Sequence, residues 1–423
     1  MNTKKKNTRT LANKILSSLI LAVLLSVTFI QPAAGDEIDV TFGETKVENF
    51  FPDGLRFSVK IVVQHYRGRI DFFYRLGEGE WTSYQADCLE KTKDSVKYYS
   101  CVFYLNYEVL PPQLPIMYKW RLFSPIDKYS TEKTVIYENP NFNWNSLHED
   151  KLTIWWHDHP SEFTEQILTT ATTALQKQEE FYGVKLENPV QIVILNGEDE
   201  LYEWRERETQ SIGGEAFPDF GTTVQIFEED MQESIIESWI NEVIPHEISH
   251  LYFAQVIGEE QISIPRWLNE GLAGYSEFND HSSDWRYVRQ AIQQDELIAL
   301  NELRETFPEG DEKVSLSYAE STTTIIYIVE TYGQEGLNKL FSAYQAGENS
   351  DAAFMQAFGR NLDDFEKDWQ AWVVTQQRTP DNFVAIVFLI FTILSVTCSC
   401  SALVIVILLI TIFNKKIKIQ PVK

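Results

Sequence analysis

Apolar and polar residues alternate along much of the chain between residues 36 and 145. The segments "LRFSVKIVVQHY", "RIDFFYRLG", "KYYSCVFYLNYE" and "MYKWRLFS" are rich in β-branched and aromatic residues, and turn residues separate them at short spacing. Alternation of this kind is typical of strands that bury one face. The pattern therefore predicts several short strands and an all-β sandwich domain over 36–145.

A different pattern follows over residues 150–378. "KLTIWWHDH" and "VQIVIL" are predicted strands, "SIGGEAFPDFGTTVQIF" a strand interrupted by glycines, and "SEFTEQILTTATTALQKQEEFYG" an amphipathic helix that stops at glycine. Long helices are predicted from about Met231 to Val373. A small sheet followed by helices is an α+β arrangement. The predicted fold is therefore an α+β domain preceded by an immunoglobulin- or fibronectin-like sandwich.

Long apolar runs lie near both ends of the sequence. Residues 1–35 run from a basic head through an apolar stretch to small residues, which predicts a signal peptide, with an uncleaved anchor as the alternative. Residues 383–413 contain no charge over 31 positions, which predicts a transmembrane helix. The lysines of 414–423 predict a cytoplasmic tail. We therefore expect a single-pass type I membrane protein with its bulk outside the cytoplasm.

Charge and cysteine content agree with an exported chain. The formal net charge is −26, and neither 1–35 nor 383–423 contains Asp or Glu, so the acidic excess lies between them. Such a surface disfavours nucleic acid and anionic lipid as partners. Cys88 and Cys101 flank "LEKTKDSVKYYS", and an oxidising compartment favours a disulfide across a hairpin over two free thiols.

The segment "VIPHEISHLYFAQ" contains the candidate chemistry. His246 and His250 are four residues apart in a predicted helix, so their side chains share one face and can hold one metal ion. Glu247 lies between them and is the candidate general base. Pro245 is unusual inside a helix, and it either kinks the helix or begins the part that bears the ligands.

A catalytic zinc site has three protein ligands and one open position. "IPRWLNEGLAGYSEF" supplies Glu270 as the third ligand, with 19 residues between it and His250. That interval allows one helix to end and a second to begin beside it. Glu277 is predicted two turns further along the second helix, where it orients a ligand or is simply a solvated acid.

These paired motifs resemble the gluzincin zinc metallopeptidases. The spacing is similar to that of thermolysin, and "WLNEGLAGY" is similar to the aminopeptidase-N-like enzymes. The chain also resembles the bacterial peptidase-MA-like metallohydrolases over about residues 150 to 375. The resemblance implies a zincin-like domain, bound Zn²⁺ and peptidase activity. The Gly-Ala-Met-Glu-Asn signature of aminopeptidases is absent, and "GGEAF" stands in a comparable place.

The resemblance also implies a donor for the oxyanion that forms during hydrolysis. Tyr318 in "LSYAES" is the candidate, because some gluzincins use a tyrosine after the third ligand, and His281 is the alternative. His157 and His159 are predicted on one side of a strand, as exposed residues or as a second metal pair. Two consecutive glycines, Gly213–Gly214, would allow a substrate to approach the backbone closely.

The leading hypothesis is a membrane-anchored, extracytoplasmic zinc metallopeptidase with a peptide or protein substrate. One alternative is a zinc hydrolase for a non-peptide substrate. Another is an adhesion or sensor protein with an inert zincin-like domain. The sequence does not distinguish exopeptidase from endopeptidase action, and it leaves the oligomeric state open.

Overall fold

The computed structural model describes residues 39–64, 66–106, 109–123, 127–205, 213–228, 231–258 and 264–376. They form two compact units, one up to Phe142 with a short segment that starts at Glu203, and one from Asn143 onward. The predicted signal peptide, transmembrane helix and basic tail lie outside these residues. Within the described residues, no helix has the length and apolar character needed to cross a membrane. The predicted domain limits, 36–145 and 150–378, stay predictions.

The first unit consists of antiparallel strands, as its alternating sequence predicts. They are β1 (Val40–Phe42), β2 (Lys46–Asn49), β3 (Leu55–Val63), β4 (Arg69–Leu76), β5 (Thr82–Gln85), β6 (Asp87–Lys93), β7 (Val96–Leu105), β8 (Leu114–Phe123), β9 (Asp127–Tyr129) and β10 (Lys133–Tyr137). One sheet has the order β1-β3-β7-β6, with β2 also paired to β3. The other has the order β10-β8-β4-β5, with β9 also paired to β8.

Aromatic side chains join the two sheets of this unit. Phe57 of β3 has its ring centroid 4.6 Å from that of Phe72 of β4 and 4.8 Å from that of Tyr118 of β8. Phe103 of β7 is also 4.6 Å from Phe72. Buried positions alternate along β3 and β8, so one face of each sheet is buried against the other.

The second unit contains a mixed sheet. Its strands are β11 (Asn145–Glu149), β12 (Leu152–Trp156), β13 (Val190–Asn196), β14 (Gly214–Phe217) and β15 (Thr222–Phe227), in the order β11-β12-β13-β15-β14. β12, β13 and β15 run parallel, while β11 and β14 are antiparallel to their neighbours. β13 and β15 are almost continuously buried, in agreement with their mainly apolar and threonine-rich sequences.

The segment "SIGGEAFPDFGTTVQIF" contains two strands, so its prediction as one strand is wrong. β14 and β15 form an antiparallel hairpin around a short 3-10 turn at Pro218–Phe220. Pro218 opens the turn with its fixed φ, and Gly221 ends it with φ 62°. The proline and glycine reverse the chain here and do more than interrupt a strand.

The second unit also contains helices. They are α1 (Ser161–Tyr182), α2 (Glu198–Trp204), α3 (Glu233–Ile257), α4 (Arg266–Ser276), α5 (Ser282–Gln294), α6 (Asp311–Gln345, interrupted at Gly333), α7 (Ser350–Phe358) and α8 (Leu362–Gln376). The last two residues of α2 belong to the first unit. Together with the sheets, the helices give the α+β class expected from the sequence.

Small residues allow α4 and α6 to approach closely. A Cβ built on Gly271 would lie 2.5 Å from the backbone oxygen of Ser321, so only glycine fits there. The helix α3 packs against both α1 and α4 and continues through Pro245 without interruption. Its predicted apolar face is largely buried, although Ile235 is 49% exposed.

Candidate metal centre

Two neighbouring helices bring the motif residues together. α3 carries His246, Glu247 and His250, and α4 carries Glu270. Four helical positions return nearly to the same face, and the two imidazole centroids are 5.1 Å apart. Both helices are held by apolar packing in one core, so the polar groups between them occupy fixed positions.

Both histidines direct Nε2 toward Glu270. Its Oε2 atom lies 3.5 Å from Nε2 of His246 and 3.8 Å from Nε2 of His250. Glu247 is also near, since His246, Glu247 and His250 place ligand atoms within 4.8 Å of one another. Glu270 approaches the two histidines from the opposite helix, so it is the better third ligand. Each of the three side chains is 13% to 16% exposed.

The other ring nitrogens are held by hydrogen bonds. Nδ1 of His246 lies 2.9 Å from Oε1 of Glu277, and Nδ1 of His250 lies 2.9 Å from Oδ1 of Asn269. Both partners are acceptors, so each Nδ1 carries a proton, and in the neutral form of each ring Nε2 has the lone pair that a metal ion needs. Two oriented nitrogens and a carboxylate are the donor set that zinc prefers, and the supporting bonds have the usual pattern. These residues could therefore hold a metal ion.

The two central carboxylates have opposite proton affinities. Burial raises the pKa of Glu247 to about 7, and the neighbouring charge of Glu270 adds to this while His246 opposes it. Burial also raises the pKa of Glu270, but the hydrogen bond from His246 and the nearby cationic groups outweigh it and leave a pKa of about 2. Glu270 therefore stays an anion, whereas Glu247 can take up and release a proton near neutral pH.

Glu247 is buried beside the two histidines. It is only 5% exposed, and its Oε2 atom has no hydrogen-bond partner among the described residues. A buried polar atom without a partner is costly for stability, so its presence suggests another use. The strand β14 lies over it: a Cβ at Gly214 would come within 2.7 Å of its carboxylate.

Tyr318 of α6 lies beside the histidines. Its ring centroid is 6.3 Å from that of His246 and 5.0 Å from that of Phe307. Burial raises its pKa, and the charge of Glu270 raises it further, so the hydroxyl keeps its proton and remains a donor. Arg266 lies nearby, with its guanidinium 4.7 Å above the ring of Phe307 and Nε 3.4 Å from Oε1 of Glu270.

Glu277 occupies another position than the one predicted. Glu277 is not two turns along the helix, because α4 ends at Ser276 and Glu277 follows it in extended conformation. It nevertheless reaches His246, and Asn279 donates a 2.8 Å hydrogen bond to its second oxygen. His281 caps the start of α5, and its Nδ1 lies 3.3 Å from Oδ2 of Asp284.

His157 and His159 form a separate polar cluster, so the prediction that they share a strand face is wrong. β12 ends at Trp156, and Asp158 adopts a positive φ of 57°, which turns the chain. His157 is 1% exposed, with Nδ1 2.8 Å from Asp158 and Nε2 3.1 Å from Glu200. Burial lowers its pKa, but the two carboxylates outweigh burial and raise it overall. His159 contacts Asn196 at 2.6 Å through Nε2.

Cys88 and Cys101 are joined by a disulfide. They are directly opposite each other on the antiparallel strands β6 and β7, where paired side chains are close enough to bond. The disulfide lies in the first unit and has no part in the metal centre.

Sequence reasoning missed Asn269, Asn279, Arg266 and the closeness of Gly214 to Glu247. Asn269 immediately precedes the ligand Glu270, and Arg266 lies one helical turn before it, so helical spacing from Glu270 was a usable signal for both. The contacts of Asn279 and Gly214 depend on how separate segments fold together, which local spacing does not encode.

The family comparison supports a gluzincin-type metallopeptidase-like fold for this part of the chain. Residues 170–375 match the family model of the Peptidase MA superfamily, and this match includes all the residues of the centre. No curated protein matches the chain. The crystal structure of an aminopeptidase N family protein from Idiomarina loihiensis is similar over 78% of this chain and 76% of that one. The sequence identity is 8% and the TM-score 0.37.

Proposed function

We propose that this protein is a zinc metallopeptidase that hydrolyses peptide bonds. His246, His250 and Glu270 would bind the zinc, and Glu247 would act as the general base. One observation carries the proposal: two Nε2 atoms, each oriented by a hydrogen bond at Nδ1, converge on an ionised carboxylate beside a buried Glu247. The Peptidase MA superfamily match supports the same chemistry.

The residues around the centre have distinct roles in this mechanism. Bound Zn²⁺ supplies a Lewis acid that lowers the pKa of water and polarises a carbonyl. Glu247 accepts the proton of the attacking water and transfers it to the leaving amine, a task suited to a pKa near 7. Tyr318 donates its hydroxyl hydrogen to the oxyanion. Glu277 and Asn269 keep the two imidazoles in the correct tautomer and orientation.

The substrate is proposed to be an extended peptide that passes β14. Gly214 has no side chain, so the backbone of this strand approaches the carboxylate of Glu247 closely. A peptide lying near this strand would place a carbonyl group beside the water that Glu247 deprotonates. The absence of the Gly-Ala-Met-Glu-Asn signature favours a search among peptides with free and with blocked N-termini.

The cellular setting is also a proposal. The uncharged run 383–413 and the lysines after it support a type I anchor with the catalytic domain outside the cytoplasm. The strand orders of the first unit support an immunoglobulin- or fibronectin-like sandwich that serves as a spacer or binding module.

A single substitution tests the mechanism. Glu247→Gln keeps the shape of the side chain but cannot act as a base. In full-length protein purified in detergent, we expect zinc content near wild type and turnover lower by about 10²–10⁴. Zinc and turnover of a peptide library are measured on the same preparation.

The matched control is Glu237→Gln, an exposed acid on the same helix, which should change neither quantity. Near-wild-type turnover in Glu247→Gln would exclude Glu247 as the base. Zinc without turnover on any peptide, in wild type and variant alike, would favour a non-peptide substrate or an inert domain. Cleavage of an ester panel then separates these two.

A further inference from the structure

Pro245 immediately precedes the first histidine and is buried inside α3. Proline has no backbone N–H, so it cannot make the usual hydrogen bond to the carbonyl four residues earlier. That carbonyl belongs to Asn241. A buried carbonyl left by a proline needs another donor, because an unpaired backbone group inside a protein is costly.

The replacement donor comes from the segment that supports the metal centre. The backbone N–H of Phe278 donates to the carbonyl oxygen of Asn241 at 2.8 Å. Phe278 directly follows Glu277, whose carboxylate holds Nδ1 of His246 at 2.9 Å. The segment Glu277–Phe278 is therefore bonded to α3 at two points, a connection called the circuit below. Phe278 bonds to Asn241, and Glu277 bonds to His246, the neighbour of Pro245.

We propose that Pro245 is a positioning residue for His246. Its missing N–H leaves the carbonyl of Asn241 available to Phe278, and this bond fixes the backbone that carries Glu277. Glu277 then sets the orientation of the His246 ring. The expected effect on Zn²⁺ affinity rests on the proposed zinc function, but the hydrogen bond from Phe278 to Asn241 does not depend on a metal.

This role and a simple packing role predict different results. Alanine has a much higher helix propensity than proline, so Pro245→Ala suits the interior of α3 and restores a donor at position 245. If Pro245 only filled space, the variant would leave the metal affinity unchanged. If Pro245 keeps the Asn241 carbonyl available to Phe278, the new N–H competes with that of Phe278 for this carbonyl. The backbone that carries Glu277 is then held less firmly.

The first experiment compares full-length wild type with Pro245→Ala. We expect faster hydrogen exchange at the Phe278 amide, measured in excess chelator. We also expect weaker Zn²⁺ binding in competition with a chromogenic chelator, by about 10- to 100-fold, as when other supporting contacts of metal ligands are lost. The melting temperature of the chelated protein shows that the variant is folded.

Two variants at position 278 separate the loss of the ring from the loss of the backbone donor. Phe278→Ala deletes the ring and keeps the N–H, whereas Phe278→Pro deletes both. Glu277 has φ −62° and ψ 147°, a conformation that a following proline favours. We expect Phe278→Pro to bind Zn²⁺ about 10-fold or more weakly than Phe278→Ala.

A double-mutant cycle shows whether the effect passes through Glu277. In a Glu277→Ala background, Pro245→Ala should cause no further loss of Zn²⁺ affinity. An equal loss in both backgrounds would overturn the proposed circuit, as would equal affinity of wild type and Pro245→Ala. If wild type holds no zinc, the proposed function fails. The exchange rate of the Phe278 amide then decides alone, and an unchanged rate in Pro245→Ala would overturn the inference.

Discussion

Carboxylates buried in the second unit have proton affinities that depend on their partners. Glu270 has cationic neighbours and stays ionised, while Glu247 lies in a less polar place and can be protonated near pH 7. Glu320 of α6 is a third case, with no role in the proposed mechanism. It is fully buried, the backbone N–H of Ile298 donates to its Oε1, and its Oε2 has no partner among the described residues.

Glu320 gives a prediction about stability and pH. Burial raises its pKa from 4.5 to about 8, and Glu366 adds to this, while the bond from Ile298 opposes it. Between these values the folded state binds more protons than the unfolded state, so stability falls as pH rises from about 4.5 to 8. The full effect is on the order of 5 kcal/mol. Glu320→Gln should remove this part of the pH dependence.

The measurement is chemical denaturation at pH 5 and pH 8.5 with a chelator present. At pH 5 the wild type and Glu320→Gln should be close in stability, and at pH 8.5 the variant should be more stable. Glu312→Gln, at the exposed start of the same helix, is the control and should follow the wild type. Parallel behaviour of Glu320→Gln and wild type would show that Glu320 is not the titrating group.

At the scale of elements, the hairpin of β14 and β15 fixes the space above Glu247. Gly214 and Gly213 are neighbours, but they face different surroundings. A Cβ at Gly214 would lie 2.7 Å from the Glu247 carboxylate, whereas one at Gly213 would lie 3.4 Å from a methyl of Val243. The first contact displaces a movable side chain and the second is nearly normal.

Gly214→Ala should therefore change activity without unfolding the protein. We expect turnover to fall by at least about 10-fold, because the general base moves from its position, with zinc content and melting temperature near wild type. Gly213→Ala is the matched control and should retain most of the activity. Equal activity of the two variants would mean that the strand does not constrain Glu247.

The sequence predicted the elements of the site whose geometry is local. The face shared by His246 and His250 follows from helical periodicity, and the interval before Glu270 allowed a second helix. The position of Glu277 is harder to predict from the sequence, because the end of α4 at Ser276 depends on tertiary contacts. The burial of His157 also depends on tertiary contacts, because its partner Glu200 lies 43 positions away along the chain. The hairpin at Pro218 is not distinguishable by sequence from an interrupted strand, because proline and glycine are typical of both.

At the scale of the whole molecule, the charge distribution predicts a membrane topology. The acidic excess lies between two ends that contain lysines and no acids. If the run 383–413 spans the membrane, the lysines after it hold the short tail in the cytoplasm. The second unit, with its metal centre, would then face the outside.

A protease added to intact cells tests this arrangement. We expect it to remove the bulk of the chain and leave a small membrane-bound fragment that carries an epitope added after Lys423. In inside-out vesicles, the large domain should be protected and the epitope digested. Protection of the large domain on intact cells would contradict the type I orientation.

The closeness of the metal-centre residues along the chain has a consequence for how the protein folds. The ligands and their supporting groups all lie between Asn241 and Asn279, whereas the bond from Gln178 to the Pro245 carbonyl joins residues 67 positions apart. Short loops lose less entropy on closing than long ones, so the pair α3 and α4 can meet before α1 docks on them. A metal ion captured by that pair would speed later steps, so it would take part in folding as well as in catalysis.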